Sequence, residues 1–271
     1  MMPTNSENPK QLTFDLLDDA MFLGLSEGTD AISDAQVSEI GPLIELGAYL
    51  DSLPNGLDPD SPIVNAFSTA KTGKLQLGVH SFFKSIEVVN VPVSVEAIEE
   101  NEWQSFLLRS QQAAHAAQGD TSLAKAIAST IAEMSENIIW HSDKIESGIV
   151  GYQYSKGRFD YVVSDTGIGI LASLSKSDQF LSIPDSTEAL KLALKNGVSR
   201  FSNSRRGTGF NSLVLNLSKR GCDIRFRSGD VSLTFEGIRS FRESAPPDPV
   251  IRTCPWIPGF TISFTYLVGQ S

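Results

Sequence analysis

Apolar residues recur through residues 120–140 at the spacing of one helix face. With each residue turning the chain by about 100°, Ile127, Ile131, Met134 and Ile138 share one stripe, and Glu133, Asn137 and His141 follow its border. Gly119 closes the preceding segment, Asp120 is a good N-cap, and neither Pro nor Gly interrupts the run before Trp140. The pattern predicts a helix of about 20 residues with a polar edge beside its buried face. Downstream, Tyr152 and Tyr154 precede the turn signal Ser155-Lys156-Gly157-Arg158, and strand-like Phe159 to Val163 follows, so residues 149–163 read as a β-hairpin. Residues 101–117 form a second amphipathic pattern, suited to packing against the rest or to dimerisation, and residues 86–95 have strand composition. A helical region leads into residues 43–53 with a break or kink expected near Gly41-Pro42, and the turn-rich residues 54–62 come next. Residues 188–195 and 212–219 read as short helices, the latter stopped by Gly221.

Length and composition set the scale. The 271 residues, 41% hydrophobic, suffice for two domains, and no apolar run is long enough to span a bilayer. Residues 1–10 are polar and expected to be a disordered tail with no signal-peptide pattern. Counting along the chain, residues 1–120 hold 18 Asp and Glu against 5 Lys and Arg, and residues 121–271 hold 14 against 17. The division predicts an acidic α/β regulatory or interaction domain over 11–120, STAS-like in layout, with its charge read as a solvated face. That charge excludes a general nucleic-acid binder, whereas the slightly basic remainder suits an anionic nucleotide. Cys222 and Cys254 have no metal or redox spacing, which points to a reduced, cytoplasmic setting.

Three motifs carry the chemistry. On the first helix, Glu133 and Asn137 lie about 6 Å apart along the axis, close enough for one phosphate tail to reach both, while His141 is about 12 Å from Glu133. Asn137 offers a neutral carbonyl oxygen to a Mg²⁺ that keeps most of its waters and phosphate ligands. Glu133, one turn away, is the candidate base for the water or hydroxyl attacking a terminal phosphate. The second motif, Asp165-Thr166-Gly167-Ile168-Gly169, ends the hairpin. Its acceptor-only carboxylate suits the exocyclic amine of adenine, and its glycines admit close backbone approach. The third, Gly207-Thr208-Gly209-Phe210-Asn211, opens the last helix, where backbone N–H groups form an anion site for β- and γ-phosphates. Arg205 and Arg206 precede it, equally readable as phosphate contacts or as a solvated basic pair. The chain has no P-loop, and Gly167-Ile168-Gly169 lacks the third glycine and the following acidic residue of a Rossmann site.

In order and spacing, these motifs resemble the nucleotide pocket of the GHKL ATPases, the superfamily of gyrase B, Hsp90 chaperones, histidine-kinase catalytic domains and MutL. The Glu133, Asn137 and His141 pattern is particularly like the bacterial anti-sigma serine kinases. The resemblance covers residues 121–268. It implies an α+β fold, a two-layer sandwich of helices on a mixed sheet (the Bergerat fold), to which the layout of the preceding residues adds a small N-terminal α/β domain. It implies ATP and Mg²⁺ as ligands, Glu133 as catalytic residue, Asn137 as metal ligand, and His141, Asp165, Gly167, Gly169, Arg206, Gly207, Thr208, Gly209, Phe210 and Asn211 in the ATP site. Gly259-Phe260-Thr261-Ile262 resembles the family's Gly-Thr-Thr-Ile strand, with Phe260 in place of the first Thr, so Thr261 is the expected adenine contact through water. Residues 170–206 correspond to an ATP lid, expected to order on nucleotide binding.

Two classes of function follow. In one, the chain is a regulatory ATPase or serine/threonine kinase that passes the γ-phosphate to water or to a partner protein. In the other, ATP gates a partner-binding surface without useful turnover. A protein partner is expected in both and a homodimer is compatible with either; nucleic acid and membrane are not expected partners. His115 lies only 22 positions before Asn137, in Gln111-Gln112-Ala113-Ala114-His115, and reads as a surface helix residue, not a phosphoacceptor.

Overall fold

The computed structural model describes residues 10–33, 35–50, 62–71, 85–195, 217, 220–236 and 248–268. Helix α1 (Phe14–Ser33), α2 (Ile40–Leu50) and α3 (Pro62–Lys71) precede strand β1 (Ser85–Asn90), the short α4 (Val95–Ile98) and α5 (Asn101–Gln118). Helix α6 (Thr121–His141) leads to β2 (Ile149–Ser155), β3 (Arg158–Asp165), α7 (Gly169–Leu174), α8 (Ser186–Ala193), β4 (Cys222–Phe235) and β5 (Val250–Leu267). The disordered tail expected for 1–10, apart from Lys10, and the turn-rich 54–61 fall outside the described residues. So do 196–206 of the expected lid and the expected helix at 212–219, apart from Leu217.

Local chemistry sets the helix ends. Gly119 takes a left-handed φ of 78° and donates its N–H to the His115 carbonyl, closing α5. Asp120 then accepts the N–H groups of Ser122 and Leu123, opening α6 where the sequence places it. The cap is worth about 1 kcal/mol. Burial of Ile127, Ile131, Met134 and Ile138 contributes about 1.5–3 kcal/mol each. Packing therefore anchors α6, and the cap decides where it starts. The break expected near Gly41-Pro42 falls just before them: residues 35–39 are not helical and α2 starts at Ile40, so both sit in its first turn, where Pro42 needs no intrahelical N–H.

The five strands run β1-β2-β3-β5-β4, and every pairing is antiparallel, where a mixed sheet was expected. Strands β2 and β3 form a hairpin, whereas β5 inserts between β3 and β4, which therefore run in the same direction with α7 and α8 between them in sequence. Side chains alternate between two faces. Phe159, Tyr161 and Val163 of β3 join α5 and α6 in one core. Val162 points the other way and packs with Leu17, Ile40, Leu43 and Ile44 of α1 and α2. The N-terminal helices thus add a third layer behind the sheet, and β1 and α5 share the sheet and core of the downstream elements. No helix of the described residues is long and apolar enough to cross a membrane.

Behind the sheet, Arg225 of β4 is buried against two carboxylates. It donates to Asp18 at 2.9 Å and to Glu45 at 2.7 Å, with Ser232 and the Phe14 ring completing its surroundings. Arg227 lies 3.5 Å from Glu45 and donates to the Gly229, Val231 and Pro255 carbonyls. Two positive and two negative groups thereby tie α1 and α2 to β4.

Candidate functional site

Site geometry begins with strand parity. Asp165, the last residue of β3, is two steps beyond Val163 and so lies on the face that α6 covers. Only 4% of it is exposed. Its Oδ1 accepts the Gly167 N–H at 2.8 Å and the Phe260 N–H also bonds the carboxyl, which leaves part of its acceptor capacity for another donor. Burial pushes its pKa up to about 7, against the opposing pull of the Gly167 N–H, the Lys144 ammonium and the Phe260 N–H.

The glycine turn is seated against α6. Ser142, the C-cap of α6, accepts the Ile168 N–H at 2.9 Å, and a Cβ on Gly167 would overlap that same Ser142 carbonyl. Gly169 has φ 73°, and a Cβ there would stand 2.9 Å from both the Gly259 carbonyl oxygen and Ser228 Oγ. Gly259, at φ 75°, is pressed on the Asp165 backbone in turn. Glycine is required at each point because main chain meets main chain. The consequence is a fixed register between Asp165, the turn and the C-terminal end of α6.

Along α6, Glu133 is exposed at the border of the buried stripe, and its pKa is raised first by partial burial and then by the neighbouring Glu136 charge. Asn137 is half-buried, and its Nδ2 lies 3.8 Å from Met134 Sδ, one turn back on the same helix. His141 Nδ1 lies 3.4 Å from Ser173 Oγ of α7, a link between α6 and the segment after the glycine turn. Lys144 Nζ donates to Thr166 Oγ1 at 3.0 Å, which adds positive charge beside the turn. Among the described residues, no group of three or more His, Cys, Asp or Glu is arranged to hold a metal. A Mg²⁺ ligated by one Asn and a phosphate tail needs none, so the donor set fits that ion.

The structure seats Gly167 and Ile168 against Ser142 at the end of α6 and links His141 to α7, with Asp165 two residues before Gly167 and with Asn137 and Glu133 one and two turns further back along α6. Thr261 is not among them. It pairs with Ser164, one residue before Asp165, so it faces α2, where it is 1% exposed and lies 2.6 Å from Ser164 Oγ. Phe260 is the residue opposite Asp165. Arg206, Gly207, Thr208, Gly209, Phe210 and Asn211 lie outside the described residues.

Two contributors escaped the sequence reading. Ser142 supplies the carbonyl that seats the turn, and Ser228 Oγ bridges the Gly259 carbonyl and the Ile170 N–H at 2.9 and 3.0 Å. Neither has a local signal, since a serine at a helix end and one on a strand acquire these roles only through distant pairing. A cavity of about 240 Å³ adjoins the second glycine, with Ile168, Ile170, Ser228 and Trp256 among its walls. Neither a scan against protein-family models nor a search of the curated proteins matches this chain to a known family or protein.

Proposed function

We propose that residues 121–268 form a GHKL-type ATP-binding domain of the Bergerat kind, and that the chain is a regulatory ATPase or serine/threonine kinase. The observation that carries this reading is the buried Asp165 carboxyl. It has acceptor capacity to spare at the end of β3, and its glycine turn is fitted to the end of the helix bearing Glu133 and Asn137. Asp165 accepts the adenine amine; Asn137 holds Mg²⁺ with the phosphate tail. When bound, Mg²⁺ neutralises charge on the β- and γ-phosphates. Glu133, with its pKa raised, takes the proton from a water or from a hydroxyl of a partner protein as the γ-phosphate is transferred. The two cysteines are buried free thiols, in keeping with a cytoplasmic setting where ATP is the abundant nucleotide.

Glu133 favours turnover over an ATP-gated module without chemistry, because a simple gate requires no proton acceptor one helical turn from the metal ligand. The test is a Glu133→Ala variant assayed for ATP binding and phosphate release side by side. Retained binding with phosphoryl transfer reduced by about 10²–10⁴-fold is expected. Wild-type turnover in the variant eliminates Glu133 as the base, and binding without turnover in the wild-type protein favours the gating module.

A further inference from the structure

The edge of the sheet away from β4 carries a groove that the nucleotide reading does not use. Strand β1 is outermost, and among the described residues nothing pairs with its other edge, so alternate main-chain N–H and C=O groups face outward. The groove holds about 710 Å³ between this strand and the first turn of α5, with Val89, Val91, Trp103 and Phe106 supplying apolar surface. Donors there lack acceptors. Trp103 is 5% exposed, and its buried indole N–H has no hydrogen-bond partner. At the N-cap of α5, the Glu100 side chain makes no capping bond and so supplies no acceptor to the first-turn N–H groups. Both features ask for carbonyl oxygens.

Charge narrows the occupant. Glu96, Glu99, Glu100 and Glu102 are all exposed along this corner. Residues 85–119 contain a single Lys or Arg, Arg109, and its guanidinium is engaged by Glu87 at 2.5 Å. Part of the acidic excess of the first half of the chain, a plain solvated face by sequence alone, is here gathered beside an apolar groove and a strand edge that no described residue pairs.

We propose that the groove receives an extended peptide segment of a partner protein as an added strand on β1, with apolar residues at alternate positions and lysine or arginine flanking them. The peptide main chain completes the outward hydrogen bonds of β1. Its alternate apolar side chains enter the groove against Val91 and Trp103, a carbonyl oxygen takes the indole N–H, and its cations meet the glutamates. This inference stands independently of the nucleotide pocket.

The test uses the full chain and fluorescein-labelled decapeptides with Val, Leu or Phe at alternate positions and Lys, Arg or Ser at the others. Saturable binding by the lysine- or arginine-bearing members is expected, together with slowed amide exchange in Ser85–Asn90. Peptides N-methylated at alternate residues, peptides with Glu in place of Lys, and a Glu100→Lys/Glu102→Lys variant should each bind about tenfold more weakly. Both residues are exposed but stand at the start of α5, where lysine opposes the helix dipole, so the variant's melting temperature is measured alongside and binding is compared at a temperature where both proteins are folded. Failure of every library member to saturate, equal binding of the N-methylated peptides, or unchanged exchange in β1 would each overturn the proposal.

Discussion

A carboxyl group as buried as Asp165 is most stable in the folded chain when it carries a proton. Below about pH 4, folded and unfolded chains are both protonated there, and the residue adds no pH dependence. As pH rises toward the folded value of about 7, the unfolded chain ionises first, so the stability that the raised pKa provides is lost progressively and the loss levels off above 7. The whole effect is on the order of 4 kcal/mol at most. Asp165→Asn, which removes the titration and keeps an acceptor for the Gly167 N–H, is expected to raise the melting temperature over wild type by a margin that widens from pH 5 to pH 8. A margin that does not change with pH would mean that Asp165 is not a strained ionisable group. The same substitution should weaken ATP, since Asn offers half the acceptors. In the wild-type protein, ATP affinity measured by titration should fall by up to about tenfold per pH unit below 7, because binding the amine requires the carboxylate. A residue that costs stability yet serves binding is what a functional site leads one to expect.

At the scale of elements, the glycine turn and α6 act as one fitted piece. Gly167→Ala places a methyl group on the Ser142 carbonyl, so the turn and the helix end must separate. Melting should fall by about 1–3 kcal/mol, with ATP affinity reduced as well. Gly119→Ala is the control: its φ of 78° is strained for alanine, but nothing stands within 4 Å. It should lose about 1 kcal/mol and leave ATP binding unchanged. Equal effects of the two on nucleotide affinity would separate the turn from the site. Much of this piece was legible in the sequence. Asp120, the apolar stripe through Ile138 and the Lys156-Gly157 turn are local signals, and the helix and hairpin follow from them. Thr261 was not legible, because its direction depends on register: one position of offset from Asp165 turns a strand residue to the other face. The partners Ser142 and Ser228 come from pairings 26 and 58 residues apart, which no local pattern encodes.

For the whole molecule, the buried charges behind the sheet join what composition divides. The charge contrast at residue 120 suggests two units, whereas Leu17, Ile40 and Leu43 share a core with Val162, and Arg225 bonds both Asp18 and Glu45. Arg225→Ala strands two buried carboxylates and is expected to cost about 3–5 kcal/mol. The loss should appear as one shared transition, with amides of α1 and α6 losing protection together in denaturant. Independent loss of protection in α1 would show that the N-terminal helices unfold as their own unit. Above all of these stands the nucleotide itself. Isothermal titration of the full chain with ATP, ADP and GTP, with and without Mg²⁺, asks whether the Asp165 carboxyl and the α6 amide serve one ligand. The account predicts saturable binding of ATP, preference over GTP, strengthening by Mg²⁺, and loss of both adenine preference and affinity in Asp165→Asn. No heat of binding with any of the three nucleotides, or ATP affinity indifferent to the change at Asp165, would contradict it.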